Sequence, residues 1–338
     1  MNRRQFLTGA VALLFLAGCA QPAAPSGSAG SAGSPALPAP VIGLTYIPNI
    51  QFSPFYVAES DNDFTKAGVA PTLRHHGTSE GLFTAIAAGQ EDFVVAGGDE
   101  LLQARGEGVD LVAVAAYYRS YPVRVIVKAD SGIATLAGLK GHSIGIPGKY
   151  GENWFGLQVA LKTAGLTEKD VQVKEIGFTQ QAALSTGKVD AVMGFSNNEL
   201  VQFQQAGVAV TALEIASGQV PLVGICLATT STYAKEHPEV VKAVVAGTLA
   251  GIGTTVADKG HALKVSADYI PGLSAAAAQQ NASLTLEATS PLWTGPSGTV
   301  DGRLDGAQWT AMADFMAAHG LTTKRVDPTS AFSNDYLA

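Results

Sequence analysis

Cysteine is nearly absent from this 338-residue chain, which has two, Cys19 and Cys226. Cys226 stands in the apolar run Leu222 to Ala228 with no catalytic signature beside it, so it reads as a small buried hydrophobe and not a nucleophile. Histidine is sparse too, six residues with His75-His76 as the close pair. There is no HExxH and no paired CxxC, and neither a metal hydrolase nor a nucleophile elbow is expected. Charged residues make up only 14%, with 28 Asp and Glu against 21 Lys and Arg for a net charge of -7. The basic residues are scattered singly, without the stripe that displaces counterions from phosphates, which argues against nucleic acid as a partner. The Gly-rich turn Pro147 to Gly151 lacks both the Walker ending and the dinucleotide spacing, so it is weak evidence for phosphate.

What is present begins with an address. Asn2-Arg3-Arg4-Gln5-Phe6-Leu7 is a positive start with a twin-arginine pattern, and the apolar run Phe6 to Gly18 is too short to span a bilayer. Leu16-Ala17-Gly18-Cys19 resembles the bacterial lipobox, in which the cysteine takes diacylglycerol and becomes the new N-terminus. The alternative is an ordinary signal peptide with an incidental cysteine. The expectation is a lipoprotein signal peptide over 1–19, lipidated at Cys19, then a flexible Gly/Ser/Ala/Pro tether over 20–40. Such a protein is anchored at the membrane surface, outside the cytoplasm.

About 300 residues follow, enough for one large or two ordinary domains. Strand and helix alternate from the start: strand Val41 to Tyr46, a helix from Pro54, an extended Val69 to His75, helix Leu82 to Ala88 capped by Thr78-Ser79-Glu80, and strands Phe93 to Ala96 and Leu111 to Tyr117. From Val123 the pattern restarts. A crossing strand Val123 to Lys128, a short helix Leu136 to Gly141, strands at Ser143 to Ile146, Val171 to Ile176 and Ala191 to Met193, and helices Asn153 to Ala164 and Thr179 to Thr186 form a second unit. Leu222 to Ala228 is the return crossing, and helices His237 to Val256, His261 to Tyr269, Ser274 to Leu286 and Asp305 to His319 complete the first. The alternation predicts α/β lobes with mostly parallel sheets flanked by helices, lobe 1 from 41–123 and 226–338, lobe 2 from 124–225.

The lipobox, YIPNIQFSPFYVAE, AAGQEDFVVAGGDELLQAR, LAGLKGHSIGIPG and GKVDAVMGFSNNE together resemble a solute-binding protein of an ABC importer. The branch is the one that includes alkanesulfonate, nitrate and thiamine-pyrimidine-precursor binders, and the loops look most like its riboflavin or pyrimidine-precursor members. The resemblance implies a two-lobed periplasmic-binding fold of type II kind, joined by two crossing strands. It also implies permease and ATPase partners, a small-molecule ligand and no catalysis. A monomer is expected, with no cofactor and no metal.

Ligands of open α/β sheets bind at the carboxyl ends of strands. Those ends carry Asn49, Gln51, Asp99, Glu100, Asn197, Asn198 and Glu199, interleaved with Phe52, Tyr118, Tyr121, Tyr150 and Trp154. Amides, carboxylates and rings suit a flat heterocycle with N–H and C=O groups. An anion instead calls for Lys, Arg or a helix N-terminus at the strand ends, and Lys149, Arg119 and Arg124 stand near enough in sequence to supply a cation. Each residue also has a plainer use: Asn49 and Gln51 as loop caps, Phe52 and Trp154 as packing, Asp99 and Asn197 as N-caps. Trp293 is a candidate to swing over the cleft. A relative of the thiamine-synthesis enzymes is the remaining alternative. Lobe 1 meets the ligand first, and lobe 2 closes by bending near Val123 and Gly224.

Overall fold

The computed structural model describes residues 37–77, 80–215, 222–296 and 298–337. The signal peptide, Cys19 and the tether up to residue 36 lie outside the described residues, as does the expected cap at Thr78-Ser79. The end of the tether belongs to the fold: Leu37 packs on the core, and the Pro40 carbonyl accepts from Thr72 N at 2.9 Å. Residues 36–338 form one compact unit.

The chain begins with β1 (Val41–Leu44), α1 (Ser53–Ser60), α2 (Asp63–Lys66), β2 (Thr72–His75), α3 (Thr84–Ala87), β3 (Phe93–Gly97), α4 (Gly98–Gly106) and β4 (Leu111–Ala116). It continues through β5 (Val123–Lys128), β6 (Ser143–Ile146), α5 (Gly151–Thr163), β7 (Gln172–Glu175), α6 (Gln180–Ser185), β8 (Ala191–Phe195), α7 (Glu199–Gln205) and β9 (Val210–Glu214). It returns with β10 (Ile225–Thr230), α8 (Ser231–Glu236), α9 (Pro238–Ala257), α10 (Lys259–Ser266), α11 (Ala276–Thr294) and α12 (Gly306–Ala318).

These strands form two five-stranded sheets, β2-β1-β3-β10-β4 and β7-β6-β8-β5-β9. In each, four strands run one way and the fifth runs against them: β10 is antiparallel to β3 and β4, and β5 is antiparallel to β8 and β9. The odd strand is the one that arrives from the other sheet. Every residue of β4 is buried, as are the first five of β10, as expected of strands covered on both faces. The edge strands β2, β7 and β9 have no buried residue, and β7 is largely exposed.

The segments expected as crossings, Val123 to Lys128 and Leu222 to Ala228, are for the most part members of the sheets they enter. The passages themselves are residues 117–122 and 215–224, of which 216–221 lie outside the described residues. The first passage runs beside the described end of the second. Tyr117 N and Tyr118 N both donate to Ile225 O at 2.8 Å, and a Cβ on Gly224 would lie 2.3 Å from the Tyr118 carbonyl oxygen, so no larger residue fits there.

The helices follow the expected faces with two differences. α11 runs through Pro291 to Thr294, well beyond Leu286, and carries Thr289 and Trp293 behind the space between the sheets. α7, β9, α8 and α2 were not expected. α9 is long and apolar enough to cross a membrane by length and composition, yet it packs on α1 and α2 and over half of it is buried. One apolar cluster joins the lobes, running from Val94 and Ala96 of β3 to Val123 and Val125 of β5 and Ile146 of β6.

Candidate ligand-binding cleft

The carboxyl ends of both sets of strands open on one cleft, whose empty space is about 950 Å³ including the part open to solvent. Lobe 1 lines it with Thr45, Tyr46, Gln51 and Phe52 after β1, His76 and Glu80 after β2, Glu100 in the first turn of α4, and Tyr117 and Tyr118 after β4. Lobe 2 supplies Pro147, Tyr150, Glu152 and Asn153 after β6, Phe178 after β7, and Phe195, Asn198 and Glu199 at the end of β8.

Of the residues expected to bind, seven face this space: Gln51, Phe52, Glu100, Tyr118, Tyr150, Asn198 and Glu199. Gln51 Nε2 donates to Tyr118 Oη at 3.5 Å, and the Gln51 carbonyl accepts from Tyr117 Oη at 2.6 Å. The loop is therefore held from both sides. Tyr118 stacks on Tyr117 at 5.1 Å between ring centres. Glu199 accepts from Phe195 N at 2.7 Å and from Asn198 Nδ2 at 3.0 Å, and burial raises its carboxyl above the usual range.

Five others stand elsewhere, each for a local reason. Asn49 caps the 3₁₀ turn Ile50–Phe52, its Oδ1 accepting from Gln51 N at 3.0 Å. Asp99 is fully buried and accepts from Tyr121 Oη at 2.9 Å, so both side chains are turned away from the cavity into the contact between the lobes. Asn197 is buried behind the wall, donating to Thr289 Oγ1 at 2.9 Å and Tyr118 Oη at 3.3 Å, and so ties lobe 2 to α11. Trp154 lies one helical turn past Gly151 and faces a side groove, with Lys149 Nζ 4.9 Å from its ring centre. Trp293 does not reach over the cleft; it is buried behind Tyr117 and Tyr118.

The cleft also contains residues not anticipated. Tyr46 and Phe178 meet edge-on from opposite lobes, 4.5 Å between ring centres, and Phe195 adds a third ring. Phe178 stands just past the end of β7, where the strand-end rule used for its neighbours would have found it. Glu80, His76 and Glu152 complete the polar lining.

Four acidic residues, Glu80, Glu100, Glu152 and Glu199, line the cavity, and among the described residues that line it there is no Lys or Arg. The cations near it in sequence are engaged elsewhere. Lys149 pairs with Glu168 at 2.8 Å, Arg119 with Asp301, and Arg124 donates to the Tyr121 and Val123 carbonyls at 3.0 and 2.9 Å. Arg74 reaches the rim from β2 but is held by Glu80 at 2.7 Å and by Glu91. His76, Glu80 and Glu91 bring ligand atoms within 4.8 Å of one another, a spacing a metal could use. Arg74 already serves both carboxylates, and His76 Nε2 meets Glu91 Oε1 at 2.9 Å.

One stretch matches a catalytic spacing without the structure that goes with it. Gly77-Thr78-Ser79-Glu80-Gly81 fits the G-x-S-x-G spacing of a nucleophile elbow. An elbow is a sharp turn from strand straight into helix. Here β2 ends at His75 and the next helix starts only at Thr84, and Thr78 and Ser79 lie outside the described residues.

Comparison with known proteins fits this geometry. Residues 49–262 match the model of the family described as NMT1/THI5 like. The chain belongs to this family. The riboflavin-binding protein RibY of Chloroflexus aurantiacus is 31% identical over the whole of this chain and 98% of its own. The formylaminopyrimidine-binding protein of Halalkalibacterium halodurans is 24% identical over 99% of both. Among solved structures, the alkanesulfonate-binding protein SsuA from Xanthomonas axonopodis pv. citri, bound to MOPS, superposes with a TM-score of 0.66 over 89% of this chain and 99% of that one, at 21% identity. That likeness is one of fold, and it establishes the two-lobed periplasmic-binding architecture. These relatives within the NMT1/THI5-like family and this fold are binding proteins.

Proposed function

We propose that this solute-binding protein captures a flat, uncharged heteroaromatic vitamin or vitamin precursor, of the riboflavin or formylaminopyrimidine kind, and presents it to the permease and ATPase of an ABC importer. The observation that carries the reading is the lining of the cleft: rings from both lobes, four carboxyls, and no Lys or Arg among the described residues. A sulfonate or nitrate would lose its hydration there and gain no Lys or Arg in return, an unfavourable exchange. A ring bearing N–H and C=O groups finds acceptors in Glu199 and Gln51, donors in Asn198 and Gln51, and faces in Tyr118, Phe52 and Phe178. The names of RibY and the formylaminopyrimidine-binding protein point the same way.

Capture is by closure of 124–225 on the remainder about the passages near Val123 and Gly224. No covalent step is assigned to the chain. Its place is outside the cytoplasm, held by lipid on Cys19, which Cys19→Ser would release from the membrane fraction. A thermal-shift panel on the protein lacking residues 1–19 tests the ligand class, using riboflavin, formylaminopyrimidine, hydroxymethylpyrimidine, thiamine, taurine and nitrate. Ligand at a hundredfold excess over its Kd adds about 2.7 kcal/mol. A heterocycle raises Tm in this reading. Stabilisation by taurine or nitrate alone would refute it.

A further inference from the structure

The first turns of α4 and α5, one from each lobe, meet beside the cleft, and both bring carboxyls to the meeting point. Asp99 and Glu152 converge on the bare Cα of Gly97: a methyl there would lie 1.6 Å from Glu152 Oε1 and 2.3 Å from Asp99 Oδ1. Asp99 is also held from its own lobe, accepting from Glu100 N at 3.0 Å and Tyr121 Oη at 2.9 Å. Neither oxygen of Glu152 meets an N–H or O–H donor, nor does Glu100 Oε1, and all three are shut off from water. The titratable groups packed around the pair are Glu100 on α4, Tyr121 on the first passage and Cys226 on β10, and none of them carries positive charge.

Two carboxylates driven together away from water cannot both stay ionised. A single proton between them replaces repulsion with a short O–H···O bond. We propose that closing the lobes binds one proton, shared between Asp99 of lobe 1 and Glu152 of lobe 2, so that ligand capture is coupled to proton uptake. The proposal rests on the reading of the chain as a closing solute binder and adds its regulation.

The direction follows from linkage. With the lobes apart, each carboxyl faces water and titrates near the ordinary value of about 4. In the closed contact, burial pushes Asp99 up to about 7 and holds Glu152 and Glu100 well above the usual carboxylate range. The closed form therefore holds a proton that the open form has lost, and affinity falls as pH rises from about 4 through about 7, by up to tenfold per pH unit for one proton. Below that window both forms are protonated and the dependence vanishes.

Calorimetric titration with riboflavin and with formylaminopyrimidine, between pH 5 and 8 in buffers of different ionisation enthalpy, counts the protons taken up. The expected result is an uptake of at least one proton per ligand near pH 6 and weaker binding toward pH 8. Asp99→Asn, whose amide mimics the protonated acid and lies outside the cavity lining, should bind with less proton uptake than wild type and a shallower pH profile. Glu152→Gln should also lower the uptake and serves if the first variant does not fold; because Glu152 lines the cleft, its effect is read from the proton count and not from the affinity. Binding by wild type with no proton uptake and one Kd from pH 5 to 8 would overturn the proposal while leaving the ligand reading intact. If neither compound binds at any pH, the ligand reading fails instead. Thermal unfolding then decides: wild type should lose stability from pH 5 to 8 relative to both variants, and parallel profiles would overturn the coupling.

Discussion

Carboxylates on the outer surface and in the cleft obey different rules in this molecule. On the surface they have cations: Asp314 with Arg325 at 2.7 Å, Asp63 with Lys66 at 2.8 Å, Glu239 with Lys242 at 3.1 Å. Such exposed pairs contribute little, roughly 0 to 1 kcal/mol each. In the cleft, Glu100, Glu152 and Glu199 are buried with no cation, and Glu80 at the rim is the intermediate case, paired with Arg74. A buried carboxyl without a cation is tolerated only when protonated or well hydrogen-bonded. Under the proposed function, this difference suits a cleft that exchanges hydrogen bonds with a neutral ring in preference to an anion, while the rest of the surface serves solubility.

The comparison can be attacked at points of decreasing consequence. Gly97→Ala should have the largest effect. Its φ of −67° accepts alanine, but the methyl would displace Glu152 and Asp99, and overpacking of this kind costs about 1 to 3 kcal/mol. Riboflavin affinity should fall about tenfold or more by calorimetry with the circular dichroism spectrum unchanged; unaltered affinity would mean the carboxyl contact plays no part in closure. Asn197→Ala removes two bonds between the lobes, each worth about 0.5 to 1.5 kcal/mol, and should raise the ligand dissociation rate in stopped-flow measurements. A double-mutant cycle on Tyr46→Ala and Phe178→Ala should give a coupling of about 0.5 to 1.5 kcal/mol in ligand binding. Arg325→Ala, on the surface side of the comparison, should change stability by less than about 1 kcal/mol and affinity not at all.

Sequence made the interior of this fold legible and its edges poorly so. β4 is a continuous apolar run, β10 opens on one and β5 carries Val123, Val125, Ile126 and Val127 around Arg124, so their burial is written in their composition. β9, Val-Thr-Ala-Leu-Glu on a sheet edge, has no such run, because half its surface never leaves water. α7 was obscured by its first residue, Glu199, read as site and not as helix. The cleft was legible wherever a strand's end is also the lining, as at Gln51, Tyr118 and Glu199. It was not legible where a helix decides direction. Successive helical residues point about 100° apart, so Glu100 looks into the cavity while Asp99 beside it looks at the other lobe, and Trp154 turns to the side groove while Glu152 lines the cleft. The pairing of Asp99 with Glu152 is a meeting of two lobes distant in sequence, and no local pattern announces it.

The most direct test of the central claim is equilibrium titration of the protein with riboflavin and formylaminopyrimidine on one side and ethanesulfonate and nitrate on the other, followed by calorimetry at pH 6. The account predicts saturable binding of at least one heterocycle at a 1:1 ratio and no heat from either anion. Saturable binding of an anion, with no response to either heterocycle, would contradict it.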